Sequence, residues 1–259
     1  MRKIAFVNEK GGSCKTTLAV NVGAYFALEK GLRVLLVDVD PQGQVGKSLG
    51  IDVRDSESTV YELLTDQAIR PADVAQRSRV EGLDVIIANK SLIDFPQLAA
   101  RESDREWKLK QKFDGLRGYD YVIFDSPPSL GLSTINIMLT VDEIIIPVSL
   151  TYFALDGCAE IMDTVRSVKE NFGRRDIRVS MVVPTLYRNT NLANEIMAKL
   201  KEHFGSRVAR TIIRYNVRID EAQSHGLTIW EYDPRSTGAE MLRELSEEVF
   251  YNAQKGSRR

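Results

Sequence analysis

A chain of 259 residues, 43% hydrophobic and 27% charged, can bury a sizeable core and has the composition of an ordinary globular protein. Its net charge of −1 leaves any affinity for nucleic acid to a local patch rather than to the whole molecule. Two cysteines, Cys14 and Cys158, are too few for a disulfide framework or a cysteine-built zinc site and fit a reducing compartment.

The first apolar run, KIAFVN (3–8), enters a glycine loop too soon to be a signal peptide. A helix pattern follows over 15–29 and ends at Lys30-Gly31, glycine being favoured just past a helix C-terminus. Next come the runs RVLLVD (33–38) and LDVIIA (83–88), then a helix pattern over 95–113. The runs YDYVIFD (119–125) and EIIIPV (143–148) precede a helix pattern over 153–171. The run IRVSMVVP (177–184) leads to helix patterns over 191–204 and 236–252, the last with Ser236 as its N-cap. Near-continuous apolar runs suit strands covered on both faces. Alternating with helices, they predict an α/β fold with a doubly wound, mainly parallel sheet flanked by helices. No internal repeat, low-complexity tract or linker interrupts the pattern, so a single domain over 1–259 is expected. No stretch approaches the roughly 18 apolar residues of a membrane span. The polar C-terminal EEVFYNAQKGSRR lacks a Leu/Phe-rich face, so no stable membrane anchor is expected and a cytoplasmic location is.

The loop NEKGGSCKTT (8–17) differs from the usual phosphate-loop spacing because Cys14, not glycine, precedes Lys15. It lies between a predicted strand and a predicted helix, where backbone N–H groups and a helix N-terminus face an anion. Lys15 is then placed for the β- and γ-phosphates, Thr16 for Mg²⁺ and Thr17 for the α-phosphate. The plainer alternative is a glycine-rich turn before an ordinary helix. Against it stand LLVDVDPQG, with Asp38 and Asp40, and YVIFDSPPS, with Asp125. These put carboxylates at the carboxyl edge of the sheet, where ligands of open parallel sheets bind and a Mg²⁺-nucleotide site needs them.

Together KGGSCKTT, DVDPQGQ, FDSPPSLG, PVSLTYFALDG, NVRIDEAQSHG and EYDPRSTGAEMLRELSEEV resemble the ParA/Soj branch of the ParA/MinD deviant Walker-A ATPases, from about residue 2 to 252. The resemblance implies a P-loop fold and a Mg²⁺- and ATP-dependent sandwich homodimer. It also implies non-specific binding to double-stranded DNA, association with the nucleoid, and slow hydrolysis stimulated by a ParB-like or other activating adaptor. By position, Lys10 matches the signature lysine that reaches the other subunit's nucleotide. Asp40 matches the carboxylate associated with the attacking water, and Asp125 the Walker B residue near Mg²⁺, with Asp38 assisting at the metal. The ATP-binding set is Lys10, Gly11, Gly12, Ser13, Cys14, Lys15, Thr16 and Thr17, with Pro184, Thr185 and Asn216 near the base. Arg214 stands where a proline is common and Tyr215 where an arginine is common.

Cys14 admits three readings. If the backbone there is left-handed, a Cβ costs roughly 1–2 kcal/mol; otherwise the loop simply accepts a small residue. A helix N-terminus and two lysines would instead lower the thiol's pKa and make it redox-sensitive. In the third, nucleotide binds but scarcely turns over. Basic residues cluster at 199–218 against a single acid, Glu202, and again at 166–188. They predict a basic side whose phosphate contacts are sequence-independent and salt-sensitive, with Lys201, Arg207, Arg210, Arg214, Arg218 and Arg235 as the DNA-binding candidates. Competing functions are a MinD- or FlhG-like spatial regulator and a nucleotide-gated DNA-binding regulator with little turnover.

Overall fold

The computed structural model describes residues 1–54 and 56–256. Eight strands form one sheet: β1 (Arg2–Phe6), β2 (Val34–Asp38), β3 (Gln76–Arg77), β4 (Leu83–Ile86), β5 (Tyr121–Asp125), β6 (Glu143–Ser149), β7 (Arg178–Tyr187) and β8 (Ile213–Arg214). Their order is β3-β4-β2-β5-β1-β6-β7-β8, parallel throughout except for the edge strand β3.

The central strands are apolar through their middles because both faces are covered. Ile4 and Phe6 of β1 pack on one side with Leu18, Phe26 and Leu36, whereas Ala5 packs on the other with Leu35, Val37 and Phe124. Each large side chain buried this way contributes about 1.5–3 kcal/mol. The first face is covered by the helix Lys15–Lys30, itself overlain by the helix Thr237–Gly256. Ser236 accepts the Ala239 N–H at 3.1 Å, the N-cap bond expected of it. Gly31 closes the first helix with φ 63°.

The helix Thr237–Gly256 packs an apolar face inward, mostly from residues ahead of the polar segment 247–259. Ala239, Leu242, Leu245 and Val249 are buried in the core, so that face is occupied by the protein itself. The tail residues 257–259 lie outside the described residues. Among the described residues no helix is long and apolar enough to cross a membrane.

The expected helix over 95–113 is not continuous. Its residues make one turn at Phe95–Leu98, a 3₁₀ turn at Ala99–Arg101 and a short helix at Lys108–Phe113. Buried Asn136 holds the break, accepting the Leu109 N–H at 3.0 Å and donating to the Arg105 carbonyl at 2.8 Å. Asn136 itself belongs to a helix the pattern missed, Leu132–Thr140, which follows β5.

Candidate active site

Strand register brings the acidic residues together. Asp38 of β2 pairs with Asp125 of β5, and Asp125 also pairs with Phe6 of β1. The two carboxylates therefore end adjacent strands beside the loop that leaves β1. Thr16 donates to Asp125 Oδ2 at 2.6 Å, while the other oxygen, buried, has no partner. Burial pushes Asp125 up to about 7, against the pull of Thr16 and Lys15. Burial, then Asp125, raise Asp38 well above the usual carboxylate range, while burial lowers Lys15 against the pull of Asp125 and Asp40. A hydroxyl, an unsatisfied buried carboxylate oxygen and a neighbouring lysine form a donor set that suits Mg²⁺ and phosphate.

Asp38 is differently employed from the expectation that it assists at a metal. It is fully buried and accepts the backbone N–H groups of Asp40 at 2.9 Å and Val45 at 3.0 Å. It thereby fixes the loop that presents Asp40. Asp40 lines the cleft and accepts the Gln42 N–H at 2.9 Å.

A cleft of about 810 Å³ runs over Gly11, Gly12, Ser13, Cys14, Lys15, Thr16, Thr17 and Asp40. Lys10 does not line it. Its Nζ donates to Thr151 Oγ1 at 2.6 Å and lies 5.9 Å from the Phe153 ring centroid, turned away from its own phosphate loop. Pro184 and Thr185 do not open into the cleft either. Both lie within β7 with Thr185 fully buried, its hydroxyl donating to the Ser13 carbonyl at 3.2 Å. Asn216 caps the helix Val217–Ser224 through Arg218 N–H and donates to Thr237 at 2.9 Å. Leu186, Arg188, Tyr215, Asp220 and Gln223 also line the cleft, and none of them is among the predicted ATP-binding residues. Gln223 donates to Thr17 Oγ1 at 2.9 Å.

Cys14 has φ 70° and ψ 20°, a left-handed conformation that only one other non-glycine residue, Leu186, approaches among those described. The loop thus does require what glycine supplies most cheaply. The reactive-thiol reading fails on its cause: burial pushes the Cys14 thiol up to about 11, and the Thr185 and Lys15 contacts offset this only in part. Cys14→Gly is expected to match wild type in stability to within about 1 kcal/mol, because relief of strain offsets the greater freedom of the unfolded chain. It should bind ATP at least as tightly. Urea unfolding and a nucleotide titration check this, and lost ATP binding would give the thiol a direct role.

Part of the charge in the basic clusters is paired with acids. Within 166–188, Arg174 is buried and paired with Asp176, Arg178 with Glu143 and Arg166 with Asp163. In the other cluster Arg210 lies 3.6 Å from Glu248, and Arg218 pairs with Glu221 and Asp233, acids supplied from outside 199–218. Arg207 stacks on Phe204 and Arg214 on Tyr187. Lys201, Arg210, Arg214, Arg218 and Arg235 remain exposed.

Residues 1–179 match the model of a family described as an AAA domain. The chain is 42% identical over 250 residues to the sporulation initiation inhibitor protein Soj of Bacillus subtilis, covering 96% of this chain and 98% of that one. It is 37% identical over 256 residues to the chromosome-partitioning ATPase Soj of Thermus thermophilus, covering 98% and 97%. Among solved structures, cobyrinic acid a,c-diamide synthase from Mycobacterium smegmatis with bound ATP analog and magnesium superposes with a TM-score of 0.86 at 28% identity, covering 99% of this chain and 96% of that one.

Proposed function

Because the chain belongs to the ParA/Soj family of deviant Walker-A ATPases, we propose that it is a positioning ATPase that dimerises around Mg-ATP and holds double-stranded DNA without regard to sequence. Hydrolysis, slow by itself and stimulated by a ParB-like or other adaptor, releases it from the nucleoid. The cargo is a chromosome, a plasmid or a protein cluster in the cytoplasm. One observation carries the nucleotide chemistry: Thr16 bonded to Asp125, whose second oxygen is buried and unpartnered, beside Lys15 at the floor of the cleft. Thr16 and Asp125 would hold Mg²⁺, which neutralises charge on the phosphates when bound. Lys15 binds phosphate within its own subunit, and Asp40 orients the attacking water. Lys10, unengaged with its own cleft, is available to the nucleotide of a second copy.

DNA supplies the test. The ATP-bound dimer should hold a duplex firmly because two basic surfaces act on it at once. Binding should fall steeply between low and physiological salt as counterions return to the phosphates. Replacing Arg207, Arg210 and Arg218 by glutamine should weaken it at least about tenfold and flatten the salt dependence while dimerisation persists. Mobility shifts across salt concentrations, with ATP and with ADP, measure both. Equal affinity in the two nucleotide states, or no loss in the triple variant, rejects the DNA-matrix reading.

A further inference from the structure

The two threonines that open the helix Lys15–Lys30 are used in opposite senses. Thr16 donates its proton to Asp125 at 2.6 Å, which leaves the lone pairs of its oxygen for a cation. Thr17 does the reverse. Its oxygen accepts the Gln223 side-chain amide at 2.9 Å, and its own proton has no protein acceptor among the described residues. The Ser13 carbonyl, four residues back and the usual acceptor for a helical threonine, takes the Thr185 hydroxyl instead. A hydroxyl whose oxygen is held by a donor and whose proton is unclaimed presents that proton to an anion. Both Thr17 and Gln223 line the cleft.

Gln223 is held firmly enough to impose this direction. It sits in the last turn of the helix Val217–Ser224, which Ile219 and Ala222 seat on the core and Asn216 caps. The turn that follows brings Gly226 against Gly50, where a Cβ on Gly226 would lie 2.6 Å from the Gly50 Cα. Asn21, one turn beyond Thr17, accepts the Ile229 N–H at 2.9 Å and fastens the same segment to the helix Lys15–Lys30. A neutral amide also adds no charge to a cleft that Lys15, Arg188, Asp40 and Asp220 already line. We propose that Gln223 is a positioning residue: by donating to Thr17 Oγ1 it turns the Thr17 proton into the cleft, toward the α-phosphate of the nucleotide. The assignment rests on the nucleotide reading above and goes beyond it by giving control of Thr17 to a residue 206 positions away.

The test is a double-mutant cycle on the full-length chain, read by ATP and ADP titrations. Thr17→Val removes the hydroxyl at nearly constant shape and should weaken both nucleotides about tenfold, the scale of a hydrogen bond to a charged group. Gln223→Leu frees the hydroxyl to rotate and should weaken both about fivefold. The double variant should match Thr17→Val within about twofold, because Gln223 acts only through Thr17. Independent effects would multiply to about fiftyfold, and that result overturns the proposal. Hydrolysis leaves the α-phosphate unchanged, so the contact is uniform binding. Gln223→Leu should therefore raise KM for ATP about fivefold and keep kcat within about twofold. A fall in kcat at unchanged KM also overturns the proposal. Gln223→Glu has the same shape but accepts where glutamine donates, so it should bind ATP no better than Gln223→Leu. Binding like wild type would reject donation as the cause. A wild-type chain that binds neither nucleotide overturns the nucleotide reading, and the positioning role with it.

Discussion

An Asp40→Ala chain is expected to bind Mg-ATP about as well as wild type and to hydrolyse it at least about a hundredfold more slowly. The loop that carries Asp40 is held by Asp38 through the backbone N–H groups of Asp40 and Val45, and alanine retains its own backbone N–H. What disappears is a carboxylate at the cleft wall and its bond to the Gln42 N–H, a local loss of about 1 kcal/mol. Lys15 and Thr16 keep their places, and removing a negative charge near Lys15 does not weaken phosphate binding. The variant should therefore accumulate as the ATP-bound dimer. Phosphate release beside a nucleotide titration separates the two effects. Hydrolysis at the wild-type rate would remove Asp40 from the mechanism.

Lys10→Ala should leave ATP binding to the single subunit largely intact and weaken the Mg-ATP dimer at least about thirtyfold, the usual loss when one partner of a buried charge pair is truncated. The Lys10 side chain does not line its own cleft, and its Nζ rests on Thr151 beside Phe153. Nothing in its own subunit's phosphate contacts depends on it. Tyr152 and Phe153, 74% and 62% exposed on the same edge, give that edge an apolar surface suited to a second copy. Sedimentation velocity with and without Mg-ATP reads the outcome directly. A variant that dimerises like wild type would sink the sandwich arrangement, whatever its hydrolysis rate.

The sheet and the phosphate end of the site could be read from the chain because both are written locally. Apolar runs follow from burial on both faces; Asp38, Asp40 and Asp125 sit at or just past the end of a strand, and Lys15 and Thr16 open the helix that follows β1. The rest of the cleft lining could not. Leu186 reaches the cleft through a register break, and Gln223 meets Thr17 from far along the chain. No spacing in the sequence ties either pair together. Asn216 belongs to a quoted motif, yet its side chain caps its own helix through the Arg218 N–H and donates to the distant Thr237. The broken helix at 95–113 failed for the same reason: Asn136, a distant side chain, takes over backbone groups that a continuous helix would have used. Counting along the chain also leaves out the acids that folding brings to the basic clusters, such as Glu248 beside Arg210.

The central strand also has a consequence for biosynthesis. β1 is made first, yet its neighbours in the sheet are β5 and β6, which begin at Tyr121 and Glu143. Translation at about 5–20 residues per second puts roughly 6–25 s between the phosphate loop and Asp125. During that interval the loop leaving the ribosome has no Walker B carboxylate and no flanking strand to hold it. Helix Lys15–Lys30 must also await residues beyond 220, because Asn21 accepts the Ile229 N–H at 2.9 Å and its carbonyl accepts the Trp230 indole N–H at 2.9 Å. The surroundings of the phosphate loop are thus complete only once almost all of the chain has been synthesised, and non-local pairing of this kind folds slowly.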